Sequence, residues 1–215
     1  AKSERFDELA AESLEFGTEE LDADTIVSFT ISFEPNQNEF SADRYGAEFD
    51  RALKGASTFG NARILVRGHS DPTLTLRHLV QAGKDKGVIR STGTAKNRKY
   101  FYNGRPMNVE DIPALIQMIE SGALSGGSQD PMITLQAAKN LSKKRADRVR
   151  DDLSDYAKYK GVNLYISQIS HVGAGISDPV IPKPTSLAEA KENMRVEFRI
   201  VRVDAEMVAP DAFDF

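Results

Sequence analysis

The stretch that most limits what this chain can become is TLQAAKNLSKKRADRVRDDLSDYAKY, residues 134–159. Leu141, Ala146, Val149, Leu153 and Tyr156 recur at spacings that fall on one face of a helix, with Lys and Asp filling the opposite side. The spacing predicts an amphipathic helix that must cover another layer. Arg145 follows one turn after Leu141, so the pattern puts it at the rim of the apolar stripe, where a guanidinium needs a partner.

A candidate partner lies far upstream in ARILVRGHSDP, residues 62–72. Ile64, Leu65 and Val66 form a short apolar run that reads as a buried strand, and Gly68 then releases the chain into a loop bearing His69, Ser70 and Asp71. Polar residues clustered where a strand ends and a helix begins are a common setting for ligands in layered α/β architectures.

The length of 215 residues suits one domain with a sizeable insertion, and 40% hydrophobic residues is ordinary for a water-soluble globular chain. The longest apolar runs, near residues 26–33 and 196–203, are too short and too interrupted to cross a bilayer. No secretory signal precedes Ala1, which leads us to expect a mature or trimmed chain. The absence of cysteine excludes disulfides, thiolate zinc sites and cysteine nucleophiles without deciding the compartment. Charge is unevenly spread. Residues 77–105 hold eight basic side chains against a single acid, Asp85, a local charge of +7 within a chain of net charge −4.

In chain order, residues 2–21 carry Phe6, Leu9, Ala10 and Leu14 at helical spacing, as a packed helix or a linker. Residues 24–33 alternate as a half-buried strand and end in the polar turn Pro35-Asn36-Gln37-Asn38. Residues 41–54 read as a helix with Ser41 as its N-cap and Gly55 just beyond its end. Residues 72–133 show least order: a strand at Lys99-Tyr100-Phe101-Tyr102 with an Asn103-Gly104 turn, a helix over 109–120 and a flexible return at 121–129. We expect an excursion with a small amount of local structure, not a second domain. After the long helix, residues 162–172 and 196–203 alternate as strands, with a short helix over 186–192 between them. The order strand, helix, strand, helix, strand, strand predicts an α+β fold: one mixed sheet in a two-layer α/β sandwich with its helices packed on one face.

The blocks GHSD, LSKKRADRV, GAGISDP and NMRVEF, in that order, resemble the OmpA-like C-terminal domain shared by OmpA proteins, MotB-type motor stators and peptidoglycan-associated lipoproteins, whose usual pattern is GHTD, NxxLSxxRAxxV, GxGxxxP and NRRVE. The resemblance implies an OmpA-like domain over 25–203 with an insertion at 72–133, preceded by a helix or linker at 1–24 and followed by a tail at 204–215. It implies a non-enzymatic module of the periplasm, cell envelope or outer membrane that binds the diaminopimelate of peptidoglycan and anchors an attached protein or membrane to the wall. Asp71 and Arg145 match the family's ligand-binding aspartate and arginine, with Asn36, Ser70, Thr73 and Leu141 as supporting contacts. The chemistry agrees: diaminopimelate ends in an ammonium and a carboxylate, which one fixed Asp and one fixed Arg complement. The chain departs from the pattern at Ala138, Leu74 and Met194, and in the insertion that enters directly after Asp71.

Other readings stay beside these. Asp71 and Arg145 could form only a structural ion pair, although the four-block match favours binding. His69 reads as a packed or loop-bonded histidine, because no nucleophile accompanies it. His171 has no second metal ligand at recognisable spacing, and Gly173-x-Gly175 lacks the third glycine of a dinucleotide loop, so neither a metal nor a cofactor is expected. The basic residues Lys96, Arg98 and Lys99, interleaved with Tyr100 and Tyr102, read by default as a solvated loop; an anionic envelope protein fits the family resemblance better than nucleic acid, for which no recognised motif is present. The alternative function is a scaffold whose insertion occludes the pocket and docks a protein. Membrane attachment is expected only through a part of the protein outside this chain, and a homodimer is compatible with the family although no dimer seam is legible.

Overall fold

The computed structural model describes residues 25–202 apart from residues 41, 59–61 and 95–96. The expected helix at 2–21, the tail from 204, the cap Ser41 and Lys96 lie outside the described residues.

The fold is α+β. Strand β1 (Thr25–Ser32) leads through a polar turn and a 3-10 turn (Ala42–Tyr45) into helix α1 (Gly46–Thr58), and strand β2 (Ala62–Gly68) follows. Helix α2 (Thr73–Asp85), strands β3 (Ile89–Thr92), β4 (Lys99–Tyr102) and β5 (Arg105–Met107) and helix α3 (Ile112–Glu120) fill the insertion. The long helix α4 (Pro131–Tyr159), strand β6 (Ile169–Gly173), helix α5 (Leu187–Asn193) and strand β7 (Arg195–Arg202) complete the described chain.

The main sheet runs β1-β7-β2-β6. Strand β7 lies antiparallel to both β1 and β2, with Ile31 opposite Val196 and Val66 opposite Phe198, whereas β2 and β6 are parallel. Because side chains alternate along a strand, Ile31, Ile64, Val66, Phe198 and Ile200 share one face, and there they pack on Phe49 of α1 and on Val149 and Leu153 of α4. Each such fully buried side chain contributes about 1.5–3 kcal/mol. Arg67 and Arg195, out of phase with this set, project to the other face.

Helix α1 runs through Gly55, where the sequence predicts its end. The cost of an interior glycine, about 1 kcal/mol, is outweighed by the packing of the helix on the sheet. The strand predicted over 162–172 is shorter. Val162 and Leu164 pack on the core, but Tyr165 and Ile166 are exposed, and a turn closed by Tyr165 and Gln168 separates them from β6.

Residues 72–133 are more ordered than their text suggests. They fold around a second core of Leu79, Ile89, Ile112, Leu115, Ile119 and Leu124, closed by Leu135 from α4 and Ile176 from the loop after β6. Strands β3, β4 and β5 form a separate antiparallel sheet against it.

Candidate functional site

At its N-terminal half α4 lies directly on the ends of β2 and β6. The approach is so close that a Cβ on Gly68 would overlap the Ser142 carbonyl and one on Gly173 would overlap the Lys143 backbone. The two glycines are therefore required by close approach of a helix. Ser142, fully buried, completes the junction: its hydroxyl donates to the Lys139 carbonyl (2.8 Å) and accepts from the Gly175 amide (2.8 Å). Ser70 adds two more ties, from its amide to the Gly175 carbonyl (2.7 Å) and from its hydroxyl to the Ala138 carbonyl (2.9 Å).

Arg145 sits beneath the loop that this junction presents. Its Nη1 donates to the His69 carbonyl at 2.8 Å, Nε to the Gln37 carbonyl at 2.9 Å and Nη2 to the Glu34 carbonyl at 3.2 Å. The guanidinium also stands 5.2 Å from the centre of the Phe33 ring. Burial draws its pKa down to about 10, so it remains charged at neutral pH. The expected rim position is corrected: Arg145 is 1% exposed. Its partners are main-chain carbonyls of two turns, and among the described residues no ion pair joins it to Asp71. A planar fork with five donors can satisfy several carbonyls at once, which a hydrophobic-period reading does not register.

Asp71, half-buried, begins the turn into α2. Its Oδ1 accepts from the Thr73 amide at 3.0 Å and its Oδ2 from Asn193 Nδ2 at 2.9 Å. Asn193, fully buried, also exchanges hydrogen bonds with the Ile181 amide and carbonyl. Sequence reasoning assigned Asn193 no role, although it opens the NMRVEF block. Among the other predicted residues, Asn36 is exposed and takes a left-handed conformation (φ 57°) in the turn that Arg145 holds from below. Ser70 is buried, Thr73 is exposed and Leu141 is half-buried on α4. The structure thus joins Ser70, Asp71 and Thr73 in one loop, with Asn36 on a second turn tied to it through Arg145. It does not bring Asp71 and the guanidinium face to face in an open cleft.

A charged cluster occupies the opposite face of the sheet. Buried Arg67 pairs with Asp178, and Arg195 Nη2 pairs with Glu197 Oε1 at 2.6 Å. His69, 1% exposed, holds Nε2 3.5 Å from Glu197 Oε1, and burial lowers its pKa. Burial alone would raise the Glu197 carboxyl, but the neighbouring His69 and Arg195 override it and hold its pKa at about 2. In the insertion, Arg98 and Lys99 are exposed, whereas Tyr100 and Tyr102 pack partly against the second core and are only half available to a partner. His171 contacts Asp147 at 2.9 Å, and among the described residues no cluster of three metal-ligating side chains is present.

The chain is similar to a number of solved structures, among them the following three. The peptidoglycan-associated lipoprotein of Burkholderia pseudomallei is 16% identical over 80% of this chain and 88% of its own, with a TM-score of 0.44. The periplasmic domain of Helicobacter pylori MotB is 18% identical over 87% of this chain and 82% of its own, with a TM-score of 0.44. The OmpA-like domain of FopA1 from Francisella tularensis is 14% identical over 86% of this chain and 79% of its own, also at 0.44. No family model and no curated protein matches the chain.

Proposed function

We propose that the chain is a non-catalytic peptidoglycan-binding module of the bacterial periplasm, which anchors an attached protein or membrane to the wall. The supporting observation is that all four blocks carrying the OmpA-like resemblance are knitted together at the end of β2. Gly68 and Ser70 meet Ala174 and Gly175, Ser142 meets Gly175, Arg145 meets His69, and Asn193 meets Asp71. A constellation drawn from such distant parts of the chain and aimed at one half-buried carboxylate is suited to presenting that carboxylate to a guest.

In this reading Asp71 accepts the ammonium of diaminopimelate, with Asn36, Thr73 and Leu141 around it. Arg145 first acts as a positioning residue, tying the turn of Asn36 to the loop of Asp71. Only two of its five N–H donors are left for a ligand carboxylate, which reaches them as the exposed 34–37 turn yields. Charge-assisted contacts of about 1.5–3 kcal/mol each give a single site of roughly micromolar to millimolar affinity, and the many repeats of the wall supply avidity.

The test is retention of the protein by purified peptidoglycan, together with titration of a soluble diaminopimelate-containing tetrapeptide. Asp71→Ala should weaken tetrapeptide binding about tenfold or more. Equal binding by wild type and Asp71→Ala overturns the proposal. The closed state of Arg145 favours a second reading, in which the scaffold docks a protein through the insertion; that reading gains if wild-type protein is not retained by the wall.

A further inference from the structure

The insertion builds a groove that the OmpA-like resemblance does not account for. It has a volume of about 350 Å³ and lies between α2, β4 and the loop at Lys183 and Pro184. From α2 it takes Thr73, Leu76, Arg77, Val80, Gln81 and Lys84. These recur at helical spacing, so they form one stripe roughly 16 Å long at 1.5 Å per residue. Arg98 and Lys183 line it from the other side, giving four cations, and no acidic side chain lines it. None of the four is ion-paired among the described residues. Leu76, Val80 and the half-buried Tyr100 supply apolar lining between the charges.

Two features narrow the ligand. The stripe is long enough to hold, at roughly 3.3 Å per extended residue, the one or two residues of a short peptide arm, with aliphatic surface for its backbone and methyl groups and guanidinium forks for its carboxylate. No glycine lines the groove, so it lacks the backbone-amide nest that commonly cradles phosphate. One end of the groove is also fixed: Thr73 lines it, and the Thr73 amide is bonded to Asp71 at 3.0 Å.

We propose that this groove is a second binding site, which takes the carboxylate-bearing arm of the same wall stem peptide whose diaminopimelate is held at Asp71. The inference rests on the proposed function and extends it: the insertion after Asp71 lengthens the site and does not cap it. The groove then reads the free carboxylates beyond diaminopimelate, so a peptide whose remaining carboxylates are amidated binds less well than one that keeps them.

The experiment titrates a soluble diaminopimelate tetrapeptide, its amidated counterpart and an oligonucleotide of equal charge into three full-length proteins: wild type, Asp71→Ala and the double variant Arg77→Glu/Lys84→Glu. Both groove positions are exposed, so the double variant should fold, and a thermal melt matching wild type is the check. The double variant should bind the tetrapeptide about tenfold or more weakly than wild type. It should also lose the wild-type preference for the free carboxylates. Weakening in Asp71→Ala with wild-type binding in the double variant overturns the groove and leaves the wall-binding reading standing. Weakening in the double variant alone keeps the groove and overturns the Asp71 grip, and unchanged binding in both overturns both. Equal binding of the oligonucleotide and the tetrapeptide by wild type also overturns the groove as a stem-peptide site.

Discussion

Arg145 donates a 2.8 Å hydrogen bond from Nη1 to the main-chain carbonyl of His69, two residues before the carboxylate it was expected to face. The guanidinium therefore acts on the loop's backbone, and the same side chain holds the turn at Glu34 and Gln37.

Arg145→Ala should cost about 3 kcal/mol or more of unfolding free energy, because it leaves three carbonyls without their donor and opens a buried void. Arg145→Lys should recover only a minor part, since an ammonium cannot span both turns. Urea denaturation measures both; a loss below about 1 kcal/mol in the alanine variant would contradict the tie between the turns.

Glycine-to-alanine substitutions should differ sharply with position. At Gly68 and Gly173 the new methyl group meets α4 backbone, and we expect losses of about 2 kcal/mol or more together with displacement of the helix. At Gly46 the nearest atom to a new Cβ is the Tyr156 hydroxyl at 3.8 Å, an ordinary contact. Gly46→Ala should stabilise the protein by roughly 0.4–1 kcal/mol, read from thermal or urea midpoints.

Glu197 makes stability depend on pH. Its folded pKa of about 2 lies below the ordinary value of 4.5, so the unfolded state takes up the proton first as the solution is acidified. Its contribution is fully present above pH 4.5 and is lost as pH falls through about 2. With partial solvent screening this amounts to about 2 kcal/mol. Glu197→Gln should be less stable than wild type at pH 7, and the gap should close toward pH 2; a gap of constant size between pH 7 and pH 2 would exclude this assignment.

Replacing residues 72–133 by a short linker should destabilise the rest of the protein instead of simply unmasking it. Leu135 and Ile176 belong to the second core but come from outside that span, and the deletion exposes them. Lower thermal stability and increased dye binding to apolar surface are expected. Unchanged stability would mean that the two cores are independent.

Much of the main sheet is legible in the sequence, because the alternation at residues 25–32 and 195–202 and the stripe from Leu141 to Tyr156 are strong periodic signals tied to burial on one side. Helix α2 is not legible for a physical reason: its buried positions are Thr75, Leu79, Ala82 and Gly83, mostly small, while Leu74 is 54% exposed. The loop residues of the site are legible through their order along the chain. Their partners are not, since hydrogen bonds from Arg145 to carbonyls and from Asn193 to Asp71 depend on three-dimensional approach.

Helix α4 enters the second core at Leu135 and leaves the first at Ala157. A rod of 29 residues, about 43 Å long, thus works as a common axle. A shift of the rod at one end is carried to the other, so the segment between Lys139 and Arg145 couples the packing of the insertion to that of the main sheet.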